Sequence, residues 1–194
     1  CNKITDAAIV KLTEACTDLR VLKISECRLL TATSIRALAR NCPGLQTLMA
    51  GQCGGFKHKS IIELAQSCSG LRSLKITRFL NDACVMALAQ NCPGLQSLNA
   101  QCCKLTAVSI ITLATSCTGL RALNVRGCKL LTDASMIAVA QNCPGLLSLK
   151  VSSCTLLTDA TVLALAQNCP GLQSLVVDRC GSVTGGALET LAES

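Results

Sequence analysis

Sixteen cysteines in 194 residues are the chain's most reactive inventory, enough for metal centres, disulfides or a thiolate nucleophile if they cluster. They do not cluster; they recur. A first cysteine stands at Cys16, Cys42, Cys68, Cys92, Cys117, Cys143 and Cys169, in steps of 26, 26, 24, 25, 26 and 26 residues. A second follows eleven residues later at Cys27, Cys53, Cys103, Cys128, Cys154 and Cys180, with Phe79 taking that place once. Cys1 reads as the second cysteine of a truncated leading half-repeat at 1–15. Metal ligation wants paired spacing such as C-x2-C and usually histidines, and the only histidine is His58. The expectation is no metal, no cofactor and a ladder of buried free thiols, which implies a reducing, cytoplasmic compartment. Two cysteines fall outside the rows. Cys84 stands in a helix where other units have Ser or Thr, and reads as packing. Cys102, beside Cys103, reads as an incidental surface thiol, with a redox-sensitive thiol as the alternative.

Other catalytic chemistry finds no purchase. There is no second histidine for a relay, no recurring carboxylate pair and no glycine-rich phosphate loop, so the expectation is a non-enzyme. One local departure stands out. Lys57-His58-Lys59 occupies the place where other units carry Thr-Asp at a helix start. Cations there oppose the helix dipole, so these three residues are either a possible anion contact or a drifted, solvated loop.

The elements that position these residues come from the repeat itself. Between the two cysteines, apolar residues fall at offsets three, six and eight, as in Leu146, Leu149 and Val151. This predicts a short strand, a turn at the second cysteine and then a helix. Thr132 or Thr158 would cap that helix, with Asp133 or Asp159 in its first turn. Asn142-Cys143-Pro144-Gly145 would end it. The unit from Cys68 is two residues short, the unit from Cys92 one, and Gly185-Gly186 weakens the last helix. A period of this size marks a solenoid, in which no unit buries its apolar face alone. Half the residues are apolar while only two are aromatic, which suits thin layers of aliphatic side chains. No uninterrupted apolar run reaches the roughly 20 residues of a membrane span, so no membrane is expected. The solenoid would be one domain over residues 1–194, expected to be an excerpt of a longer protein.

The pattern C-x2-L-x2-L-x-L-x2-C, followed by Leu-Thr-Asp and Leu-Ala, resembles the cysteine-containing class of leucine-rich repeat. The resemblance covers essentially the whole chain. It implies an α/β horseshoe with a parallel concave β-sheet, helices on the convex side and seven strand-bearing repeats. It also implies a protein-interaction surface, as in the substrate-binding arms of F-box ubiquitin-ligase receptors and similar intracellular scaffolds.

On that frame, alternate strand residues face the concave side. The central row is Lys23, Met49, Lys75, Asn99, Asn124, Lys150 and Val176. The next is Ser25, Gly51, Thr77, Gln101, Arg126, Ser152 and Asp178. The row before is small: Val21, Thr47, Ser73, Ser97, Ala122, Ser148 and Ser174. With its margins the face would hold Arg20, Lys23, Arg72, Lys75, Arg78, Arg121, Arg126, Lys150 and Arg179 against Glu26 and Asp178, an excess equal to the formal net charge of +7. Either long basic side chains solvate an exposed sheet, or the face attracts an acidic partner. Nucleic acid is the poorer partner, because the face has no aromatic platform and is sparsely basic. An acidic protein segment is the expectation. The alternatives are substrate recognition for an F-box-type ubiquitin ligase and a permanent structural place in a larger assembly.

Overall fold

The computed structural model describes residues 3–193, so the reading of Cys1 lies outside the described residues. Seven strands of three residues each form one parallel sheet in chain order. They are β1 (Val21–Lys23), β2 (Thr47–Met49), β3 (Ser73–Lys75), β4 (Ser97–Asn99), β5 (Ala122–Asn124), β6 (Ser148–Lys150) and β7 (Ser174–Val176). Eight helices alternate with them: α1 (Asp6–Ala15), α2 (Ala32–Asn41), α3 (His58–Ser67), α4 (Asp82–Asn91), α5 (Ala107–Ser116), α6 (Asp133–Asn142), α7 (Asp159–Asn168) and α8 (Gly185–Ala192). Each strand pairs in register with the next, Leu22 on Leu48, Leu74, Leu98, Leu123, Leu149 and Leu175. Register is fixed because slipping by one residue would turn this leucine row out of the core.

The core lies between the sheet and the helices. Leu45, Leu48 and Ala50 of one unit, with Ile35 and Leu38 of the helix before it, have no exposed surface, and the same positions are buried in the other interior units. The first-row cysteines close this layer. The Cys42 thiol donates to the Cys16 carbonyl at 3.4 Å, Cys68 to Cys42 at 3.5 Å and Cys117 to Cys92 at 3.4 Å. Second-row thiols do likewise: Cys53 to the Ile24 carbonyl at 3.0 Å, Cys154 to Val125 at 3.3 Å. The buried thiols are therefore small packing units whose weak S–H donors answer carbonyls of the preceding turn. Burial pushes them up, Cys68, Cys117, Cys143 and Cys154 to about 11 and Cys92 and Cys128 to about 12. All described cysteines are free thiols; Cys16 and Cys102 are exposed and Cys84 is buried. The exposure of Cys16 corrects its expected place in the buried ladder, since its thiol has no described preceding turn to pack against.

The turns hold two departures from expectation. Helices α2, α4, α6 and α7 end at Asn before Cys, and the Asn91, Asn142 and Asn168 amides each donate to the carbonyl four residues back at 2.8 Å. The glycines that follow, such as Gly94 and Gly145, do not adopt positive φ. The left-handed residue stands instead just before each second-cysteine position, at Glu26, Gln52, Arg78, Cys102, Gly127, Ser153 and Arg179, with φ between 56° and 76°. Only Gly127 among them is a glycine, so this turn tolerates side chains at a conformational cost.

Candidate functional site: the open face of the sheet and its rim

The sheet's helix-free face presents the first and third residues of every strand, while the middle leucines point inward. Lys23, Met49, Lys75, Asn99, Asn124, Lys150 and Val176 therefore stand in one row, each solvent-accessible, and the smaller Val21-to-Ser174 row lies beside it. The row beyond the strands is mixed. Gln101, Arg126 and Asp178 are accessible, but Gly51, Thr77 and Ser152 are buried. Thr77 Oγ1 accepts the Gln52 N–H at 3.0 Å, and Ser152 Oγ donates to Asp178 Oδ2 at 3.4 Å. The Lys75 stem lies across Gly51, where a Cβ would meet the mobile Lys75 Cε at 2.9 Å and push it aside.

The nine cations divide by position. Lys23, Lys75, Arg126 and Lys150 occupy the sheet face proper. Arg20, Arg72 and Arg121 precede β1, β3 and β5, where their carbonyls accept N–H donors of the next strand, at the strands' N-terminal rim. Arg78 and Arg179 sit in the left-handed turns at the opposite rim, with Glu26. Toward the middle of the face is a shallow hollow of about 170 Å³ lined by Ser97, Asn99, Ala122, Asn124, Ser148 and Lys150. Asn99 and Asn124 turn their side-chain oxygens to the N–H groups of Gln101 and Arg126, at 3.4 and 3.2 Å. Their amide NH2 groups are thereby left as the donors for the face.

Asp133 and Asp159, expected as first-turn charges for their own helices, have their partners in the next repeat, and so do Asp6 and Asp82. Asp6 accepts from the Thr31 N–H at 2.9 Å, from its hydroxyl, and from Ser34. Asp82 accepts both donors of Thr106 at 2.9 and 2.8 Å. Asp133 does so from Thr158 at 2.9 and 2.7 Å, and Asp159 from Thr184 at 2.7 and 2.8 Å. Burial raises the carboxyls of Asp6, Asp82 and Asp133, but these hydrogen bonds outweigh it and hold each below its ordinary value. The expected helix caps are corrected in part. Thr132 makes no side-chain cap bond, while Thr158 caps Ala160 N–H and staples to Asp133 at once. The signal was present: a Thr follows each of these Asp residues by 24 or 25 positions.

Lys57, His58 and Lys59 do not converge. Lys57 is the N-cap residue of α3 and makes no side-chain cap bond. Lys59 lines a hollow on the helix side with Arg36, Arg40 and Glu63, where Arg36 and Glu63 pair at 3.3 Å. His58 faces the other way, its Nδ1 lying 3.2 Å from Asn81 Nδ2. No group of three or more His, Cys, Asp or Glu side chains suited to a metal ion exists among the described residues. Nor, among them, is any helix long and apolar enough to cross a membrane.

No protein-family model and no curated protein matches this sequence. Solved structures do. An internalin from Listeria monocytogenes is similar at 17% identity over 91% of this chain, with a TM-score of 0.62, and the chain spans 53% of that protein's length. A chain of the yeast Rad7–Elc1 complex aligns at 17% identity over 98% of this chain and 81% of its own, with a TM-score of 0.34. The tropomodulin C-terminal domain of Caenorhabditis elegans aligns at 12% identity over 98% and 90%, with a TM-score of 0.46. The internalin likeness, with seven in-register parallel strands backed by helices, establishes the fold: this chain is a leucine-rich-repeat solenoid with two cysteines in most of its turns.

Proposed function

We propose that the chain is a non-enzymatic protein-interaction module whose concave sheet face binds an acidic segment of a partner protein in a reducing, intracellular compartment. The observation that carries this reading is the row of Lys23, Lys75 and Lys150, with Arg126 one step further, beside small residues such as Ser73, Ser97, Ala122 and Ser148. Cations standing along a floor of small side chains leave room for a chain to lie across the strands. Seven strands at about 4.8 Å spacing give it a track on the order of 30 Å. Complementary charge along such a track steers association and sets its register. A nucleic acid is a worse fit, because the face carries no ring for bases to stack on. Both phenylalanines, Phe56 and Phe79, pair edge-to-face with centroids 6.0 Å apart at the turns. The compartment follows from the thiol ladder, which an oxidising environment would put at risk.

The test is capture from a cytosolic extract, comparing the chain with a Lys75→Glu, Arg126→Glu, Lys150→Glu variant and identifying the captured proteins by mass spectrometry. An acidic protein held by the parent and lost by the variant supports the reading. An unchanged captured set sends the search to the helices and edges, and to a structural role in an assembly.

A further inference from the structure

The two short units leave a mark on the rim. Three residues separate the second-cysteine position from the helix cap in full-length units, as in Arg28, Leu29 and Leu30. Between Phe79 and Asn81 there is one residue, and between Cys103 and Thr106 there are two. Where this wall is cut low a hollow of about 310 Å³ opens, lined by His58, Arg78, Leu80, Asn81, Cys102 and Lys104. Its lining holds two permanent cations and no carboxylate. Asp82, next in sequence to Asn81, is already spent on Thr106. Arg78 also borders a second hollow of about 300 Å³ that contains Arg28, so the basic strip continues along the rim.

The hydrogen-bond pattern fixes what His58 offers. The Cys84 N–H donates to Asn81 Oδ1 at 3.0 Å, which orients the amide and leaves Nδ2 as the donor to His58 Nδ1. A neutral His58 therefore accepts at Nδ1 and carries its proton on Nε2, a donor for something else. The hollow thus combines a guanidinium fork, an ammonium, an amide-oriented imidazole N–H and the apolar wall of Leu80. We propose that this rim hollow is a phosphate-monoester site, taking the dianion of a phosphorylated side chain on the partner. Arg78 would supply bidentate hydrogen bonds and Lys104 a point charge. The apolar wall accommodates the carbon that carries the phosphate. The site lies beside the sheet track, so the peptide source, though not the phosphate chemistry, rests on the function proposed above.

Cys102 makes the site testable without a known partner, because it is an exposed thiol within the lining and Cys16 is an exposed thiol outside it. Alkylation by iodoacetamide is followed at each cysteine by peptide mass spectrometry, at ionic strength held constant with chloride. The probes are a blocked Ala-phosphoserine-Ala peptide, its unphosphorylated form and inorganic phosphate. A probe at about three times its Kd should slow Cys102 roughly fourfold and leave Cys16 unchanged. The unphosphorylated peptide should do nothing. Either phosphate probe supports the site, and the stronger one identifies the source. Arg78→Gly and Lys104→Gln should each abolish protection; the first also relaxes a left-handed turn, so its fold is expected to hold, as circular dichroism would verify. A Lys23→Glu, Lys150→Glu reversal, on β1 and β6 away from the hollow, should leave protection intact, which separates failure here from failure of the sheet-face reading. Equal slowing of Cys16 and Cys102, no slowing with either phosphate, or protection that persists in Arg78→Gly would overturn the proposal.

Discussion

At single residues the sharpest demands are made by the turns. Gly54 has the tightest surroundings, for a Cβ there would lie 2.0 Å from the Arg28 carbonyl oxygen. Gly54→Ala should cost roughly 1–3 kcal/mol, or more if the backbone of the neighbouring turn cannot shift, measured by urea unfolding. The reverse case is Ser153, which holds φ at 62° with a side chain attached. Ser153→Gly should stabilise the chain by up to about 1 kcal/mol, and an unchanged or lower urea midpoint would contradict the strain argument. Apart from the exposed Cys16, the described first-row and second-row cysteines were legible from spacing alone, because a small apolar residue repeating beside leucines has one place to go. The left-handed position was not legible. Its usual glycine signal occurs once, at Gly127, while glycine at the helix exits points to the wrong turn.

Between elements, the repeats are joined by more than apolar stacking. Asp133 receives the Thr158 N–H, the Thr158 hydroxyl and the Thr161 hydroxyl, and so staples the start of α6 to the start of α7. Asp133→Ala should cost roughly 1–3 kcal/mol, and Thr158→Val should couple to it in a double-mutant cycle. The pH sign follows from the lowered carboxyls of Asp6, Asp82 and Asp133. Their contribution is fully present above the ordinary carboxyl value near 3.8 and is lost as pH falls through the lower folded values. Acid unfolding should therefore begin below about pH 4 and be later in the parent than in Asp133→Asn. These staples escaped the sequence reading because an Asp in a helix's first turn already has a sufficient explanation in its own helix. In α4, Cys84 fills the buried third-residue site that Ser109 and Ser135 hold in α5 and α6, which bears out its reading as packing.

Across the whole molecule the thiol ladder sets an alkaline limit. Folded Cys68, Cys92, Cys117, Cys128, Cys143 and Cys154 titrate at about 11 to 12, against 9.0 for an ordinary thiol. Their contribution is complete below about pH 9 and is lost as pH rises toward the folded values, because the unfolded chain releases those protons first. Stability should therefore fall progressively as pH rises above about 9, and the array should unfold on that alkaline side. Circular dichroism against pH in reducing buffer checks this; a signal flat to pH 11 would mean the thiols are not held in a continuous dry layer.

The sheet face was readable at this scale because three residues per strand and a fixed leucine register leave no freedom in which side chains line up. The rim was less readable. Its hollow depends on how low the turn wall stands beside Arg78 and Lys104, a three-dimensional consequence of two deletions. The sheet-face claim is tested most directly by the Kd of an acidic segment from a captured partner, for the parent and for Lys75→Glu, Arg126→Glu, Lys150→Glu, at low and physiological salt. The account predicts at least roughly tenfold weaker binding by the variant and a salt dependence that shrinks with the lost charges. Equal affinities with equal salt slopes would show that the basic row is solvated surface and that the partner binds elsewhere.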